Sequence, residues 1–218
     1  VTTTGTGDIT GPGSTGNRIE GDGAVVTTTG DLTITDGGTG TLITGGDAKI
    51  TIGGTDDEQA VIEITAGGRG VVIEGENATV NITDTTATVS GKGSVLAVIH
   101  GDGATVNASG DITVTGGAKG FDITGDRATV NNDGTIRADG TGSVGVNISN
   151  QNTGADSYTK FTSTGDIHAS NGANAVVING SQSEVLIDGN ISALNYSDAL
   201  RVNGNSNTVR ITGGVDFA

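Results

Sequence analysis

Carboxylates recur at one position of a repeated motif, at Asp31, Asp111 and Asp166, with Asn190 at the same place in a later copy. Two carboxyl groups about 5–9.5 Å apart can cleave a glycosidic bond, and carboxylate clusters hold hard cations. Stacked repeats provide such spacing readily, so spacing alone is weakly specific. The aspartates also fall in non-adjacent copies: Thr55 and an irregular copy separate Asp31 from Asp111, and Thr135 separates Asp111 from Asp166. They read mainly as corner residues. His100 and His168 occupy different columns of the repeat with no second histidine in register, which disfavours metal ligation. The serines lie in no G-x-S-x-G elbow, and no G-x-x-x-x-G-K-[ST] follows glycine strings such as Gly37-Gly38-Thr39-Gly40. Neither an EF-hand loop nor a tandem calcium-binding nonapeptide is present. Cysteine is absent, which removes disulfides, thiolate metal sites and thiol nucleophiles together. The expectation is a non-enzymatic chain with no catalytic residue, metal or cofactor.

Composition narrows the partners. The 218 residues carry a formal net charge of −15, and the 10 Lys and Arg are scattered without a run. That disfavours nucleic acid, whose backbone calls for a basic patch, and anionic membrane surfaces. No apolar run approaches the ~20 residues of a membrane helix. Sugar-binding grooves commonly stack aromatics on sugar rings, yet there is no Trp, and the two tyrosines are Tyr158 and Tyr196. Tyr158 is the best single candidate for a ligand-facing aromatic, with a structural role as its alternative.

The elements that would position these residues are set by a repeat. Its apolar anchor falls at Val26, Ile50, Val80, Val106, Val130, Phe161, Val185 and Val209, in steps of 24, 30, 26, 24, 31, 24 and 24 residues. A fixed period of this size marks a stacked array. With Val106 as position zero, Gly110 stands at +4, Asp111 at +5, Ile112 at +6 and Val114 at +8. A second apolar anchor at −7 gives Ile19, Ile43, Ile73, Ile99, Ile123, Ile178 and Val202, and −2 is Ala24, Ala48, Ala78, Ala104 and Ala128. Short segments of period two, rich in Val and Ile and joined by Gly, are strands. Three such strands in a ~24-residue coil predict an all-β parallel β-helix of about 8–9 coils, one unit spanning the chain. The +4 glycines are expected to supply backbone angles that other residues avoid. Asp84 replaces glycine where the step slips to 26. The first copy is read as Gly7-Asp8-Ile9 on the +4 to +6 positions, and the chain as a segment of a longer protein.

Contact surfaces remain as the candidate function. The outward +1 column reads Thr27, Thr51, Asn81, Asn107, Asn131, Thr162, then Leu186 and Arg210. Stacked Asn and Thr can hydrogen-bond along the rod, either only stabilising the stack or forming a flat polar face that meets another copy. Two long coils hold insertions, at residues 55–60 (including Asp56, Asp57 and Glu58) and 150–157 (including Asn152 and Asp156, with Tyr158 at the edge). Excursions from a regular scaffold are where binding residues tend to sit; neutral insertions are the alternative. An outward apolar column, Leu42, Val72 and Val98, is either a contact surface or covered by a local loop.

The corners Gly110-Asp111-Ile112 and Gly165-Asp166-Ile167, the A-T-V-N strings 78–81, 104–107 and 128–131, the acidity and the lack of Cys together resemble the passenger domain of bacterial autotransporter (type V secreted) proteins of the self-associating or adhesive kind. Two-partner-secretion exoproteins and phage tail-spike rods share much of this style. The resemblance implies a right-handed β-helix, a place on the bacterial cell surface or in secreted form, and aggregation between cells or host adhesion. It also implies a signal peptide and a translocator barrel flanking such a segment. The partners it implies are the protein itself, or a host surface protein or glycan.

Overall fold

The computed structural model describes residues 1–55, 58–150 and 158–217, and every regular element among them is a β-strand. The strands form a parallel β-helix of about eight turns. One coil shows the plan: Thr105–Thr115 runs along a first face, crosses a corner at Gly110 and continues along a second, and Lys119–Ile123 forms the third. Each strand pairs in parallel with its counterparts one coil above and below. The third face is a sheet of eight strands, and the first two merge into a sheet of 16.

Period-two alternation turns every second residue inward, and pairing at a fixed register stacks like on like. The first-face anchors are in register from Val26 to Val209, so the period read from sequence is the physical coil. Ile50, Val80, Val106 and Val130 are buried in one continuous core with Ile112, Ile136 and Ile123. Full burial of each such side chain is worth about 1.5–3 kcal/mol. In the middle of the rod Phe121 from the third face meets Phe161 from the first, with ring centroids 6.4 Å apart and planes tilted by 50°.

Several positions differ from the sequence expectation. The third-face column also contains Ile148, between Ile123 and Ile178. The long insertion falls between Ile148 and Phe161, so counting seven residues back from Phe161 misses Ile148. In the first coil Gly7 pairs with Leu32 and Ile9 with Ile34, which places them at +6 and +8, two positions later than Gly7-Asp8-Ile9 was read. Val61, not Thr55, holds the +5 position of its coil, because Ile62 pairs with Leu32 and the insertion comes before it. Ala60 is already back in the strand Ala60–Ile64 and buried.

Close backbone approach between coils excludes a side chain at these corner glycines, and at two of them the backbone angle does so as well. Gly30 and Gly110 have φ of 115° and 111°, where a side chain is strained, and a Cβ there would also come closer than 3.0 Å to the carbonyls of Gly5 and Thr85. Gly134, Gly165, Gly189 and Gly213 lack the positive φ; each stacks so tightly on the glycine before it that a Cβ would come closer than 3.0 Å to that residue's carbonyl. Here glycine is required by backbone approach between coils. At the slipped corner Asp84 adopts φ 50°, and a bulge between Ile82 and Thr85 takes up the extra residues.

Candidate functional site

The first face displays the candidate polar column as a continuous line. Thr27, Thr51, Asn81, Asn107, Asn131 and Thr162 pair in register, followed by Leu186 and Arg210. All are half-buried except the terminal Arg210, which is exposed. Asn107 Nδ2 donates to Asn81 Oδ1 at 2.9 Å, and Asn131 Nδ2 donates to Asn107 Oδ1 at 2.8 Å. An amide has two N–H groups and two acceptor sites, so each ladder bond fixes a rotamer and leaves polar valence facing out. Thr79, Thr105 and Thr129 line the adjacent outward column, which continues as Lys160 and Glu184 in a 3.7 Å ion pair.

Two further ladders were not anticipated. Asn195 Nδ2 donates to Asn171 Oδ1 at 3.1 Å, and Asn203 Nδ2 to Asn179 Oδ1 at 2.9 Å. Their signal was the same 24-residue spacing, at corner positions instead of strand positions.

The repeated aspartates are corner residues. Asp31 Oδ1 accepts from the Val61 N–H at 2.8 Å, Asp111 Oδ1 from Thr135 at 3.1 Å and Asp166 Oδ1 from Asn190 at 2.8 Å. Asn190 Oδ1 does the same for Gly214 at 2.8 Å. Each carboxylate satisfies a backbone donor of the next coil that the corner leaves without a ladder partner. The histidines are also tied into their columns, His100 Nδ1 to Thr124 Oγ1 at 2.6 Å and His168 Nδ1 to Ser192 Oγ at 2.7 Å. Among the described residues no group of three or more His, Cys, Asp or Glu is placed to hold a metal ion.

Of the first insertion, Asp56 and Asp57 lie outside the described residues. Glu58 forms an antiparallel bridge with Thr55. Beneath it a cavity of about 260 Å³ is lined by Thr29, Asp31, Thr55, Glu58 and Gln59 among others. Of the second insertion, Asn152 and Asp156 lie outside the described residues, and Tyr158 is half-exposed. Asn150, read as the first inserted residue, is instead buried in the coil. Its Nδ2 donates to Thr159 Oγ1 at 3.1 Å and to Ser181 O at 2.9 Å, and its Oδ1 accepts from Ser183 Oγ at 3.2 Å. It holds the place that Gly101 and Gly125 take in earlier coils; Gly180 then packs on it. In the same coils the −2 alanine column gives way to Thr159 and Ser183, whose hydroxyls complete this buried network.

Val72, Val95 and Val98 on the outside of the third face are only 4–6 % exposed and form a small cluster apart from the main core, with Leu42 packed against it. They are not an open patch. Leu42 and Asp122 flank the Val72–Val98 column, and Arg69 and Lys119 flank Val95, so neighbours on adjacent coils shield them. Among the described residues two carboxyls have shifted pKa values. Burial, and then the charge of Asp102, raise the pKa of Asp126 above the ordinary aspartate value, against an opposing effect of Arg127. Hydrogen bonds from Ser170 and then Asn171 hold Asp139 below it.

No protein-family model matches the chain, and no match emerges among curated proteins.

Proposed function

We propose that this β-helix is a non-enzymatic bacterial cell-surface passenger that associates with further copies of itself through its polar first face. The observation that carries the reading is the Thr/Asn column, with Asn81, Asn107 and Asn131 already locked into a ladder. A surface ordered before contact loses less side-chain entropy on contact. The engagement of Asp31, Asp111 and Asp166 with backbone donors supports the non-enzymatic part, because those carboxylates have a structural task. Beads coated with the protein provide the test. They should clump, and Asn81→Lys, Asn107→Lys and Asn131→Lys together should disperse them; unchanged clumping removes this face from the reading.

A second reading is binding of a host protein or glycan at the first insertion. The cavity lined by Asp31, Glu58 and Gln59 favours it, offering carboxylate and amide groups to hydroxyls. Replacing residues 55–58 by a Gly-Gly corner should then abolish adhesion to host cells and leave bead clumping intact. Adhesion that persists removes the reading.

A further inference from the structure

Five of the corners that lead into the third face turn on two successive residues at positive φ, as a type I′ turn requires. In four of them the second residue is glycine: Gly37, Gly67, Gly117 and Gly172, with φ of 79° to 83°. In the fifth, Asn195-Tyr196, a tyrosine holds that place at φ 64°. A β-carbon strains such a backbone. Packing of the side chain could offset the strain, but Tyr196 is fully exposed and its ring is buried against nothing. Leu194, which opens the same corner, is also exposed, where the coil before has Ser170. Strain kept without burial is a feature of residues held for contact with a ligand.

From the residue before the ring, a fixed polar row runs back over three coils. Asn195 Nδ2 donates to Asn171 Oδ1 at 3.1 Å, and Asn171 Nδ2 donates to Asp139 Oδ1 at 2.6 Å. Ser170 Oγ donates to the same Oδ1 at 2.6 Å. Asn171 and Asn195 are exposed and Asp139 is half-buried. Among the described residues nothing bonds Asn195 Oδ1 or Asp139 Oδ2. Two acceptors therefore stay available two coils apart, about 10 Å along the rod. The bonds within the row fix its rotamers before any ligand arrives.

An exposed aromatic face with preset acceptors to one side suits a sugar. The ring takes the C–H face of the sugar, and the acceptors take its hydroxyls. The Asp139 carboxylate disfavours an anion there. The net charge of −15 disfavours nucleic acid, whose bases would also stack on a tyrosine. We propose that Tyr196 and the row Asp139, Asn171 and Asn195 bind a neutral saccharide. The site is separate from the first-face contact and from the first insertion, and it uses the second tyrosine, not Tyr158.

Beads coated with the protein and washed over a printed array of neutral, sialylated and sulfated oligosaccharides test this, because many copies per bead let weak sites register. The wild type should hold to one or more neutral saccharides, and this binding should persist at high salt. The best of them is then titrated against the Tyr158→Phe chain. There Tyr196 is the sole strong emitter, because the chain has no Trp, and its fluorescence should change on binding. Tyr196→Gly should weaken binding at least roughly tenfold, and Asn171→Ala with Asn195→Ala roughly threefold or more. Tyr196→Phe keeps the ring and should stay within about threefold of wild type. Tyr196→Gly should leave the urea midpoint unchanged or raised, since relief of the backbone offsets the added freedom of glycine in the unfolded chain. Retention of no saccharide, retention of the sialylated or sulfated ones alone, or binding unchanged by Tyr196→Gly would overturn the inference. So would a lowered urea midpoint for Tyr196→Gly, which would show the ring packing for the fold. Bead clumping by Tyr196→Gly should match wild type, and the Gly-Gly corner at residues 55–58 should leave saccharide binding intact. Loss of this site is thereby told apart from loss of the first face or of the first insertion.

Discussion

Asn107 is the residue at which the ladder can be tested with least disturbance to the core. It donates to Asn81 and accepts from Asn131, and its neighbours Val106 and Ala108 point inward and stay untouched. Asn107→Ala deletes both ladder bonds. Each is worth about 0.5–1.5 kcal/mol net, and the half-buried site lets the released amides of Asn81 and Asn131 recover water. The expected loss is about 1–2 kcal/mol, with little strand-propensity contribution because Asn and Ala are both poor strand formers. Asn107→Asp keeps the acceptor for Asn131 and loses the donor to Asn81, so it should cost roughly half as much at physiological salt. Urea unfolding followed by circular dichroism reads both, provided the slope is unchanged. An alanine variant within about 0.5 kcal/mol of wild type, the range of an ordinary surface substitution, would refute the ladder as an ordered structure. So would an aspartate variant less stable than the alanine one.

The other expectations concern the core, corners and acidity. Gly165→Ala drives a Cβ into the Gly134 carbonyl and should cost more than the ~1–3 kcal/mol of ordinary overpacking, whereas Gly21→Ala meets open space and should be near neutral in the same melt. Phe121→Ala and Phe161→Ala should each cost about 3–5 kcal/mol, and a double-mutant cycle should return a coupling of about 0.5–1.5 kcal/mol from their tilted contact. Asp139 has a lowered pKa in the fold, so its stabilisation is present above the ordinary aspartate pKa and is lost as pH falls through the depressed value. Ser170→Ala should bring the carboxyl resonance of Asp139 back toward the ordinary value in an NMR titration. Asp126 is the opposite case: its raised pKa penalises the fold as pH rises from the ordinary value through the raised one, and fully above it. Asp102→Asn removes one of its causes and should lower the Asp126 midpoint in the same titration.

The coil was legible because pairing at a fixed register converts spacing directly into stacking: Val106 sits on Val80 and under Val130 as the 26- and 24-residue steps imply. The ladder was legible for the same reason. What the sequence hid were contacts between coils that depend on distance instead of on residue pattern. Glycine at 165 looks like glycine at 110, yet at 165 close backbone approach alone excludes a side chain, and at 110 a positive φ excludes it as well. Asn150 looked like the first residue of a polar loop, and only the packing of the neighbouring coil makes it a buried hub. Val72 and Val98 looked exposed because alternation assigns them outward; side chains on adjacent coils, invisible to a one-coil reading, shield them.

The first-face contact is tested most directly by comparing two variants of equal charge. One carries Asn81→Lys, Asn107→Lys and Asn131→Lys on the first face. The other carries Thr33→Lys, Thr88→Lys and Thr113→Lys, outward on the second face, so the added charge is the same. Turbidity of coated beads at physiological salt is the readout. The proposal predicts that the second-face variant clumps as wild type does and the first-face variant stays dispersed. Equal clumping by both, or equal dispersal of both, would contradict it.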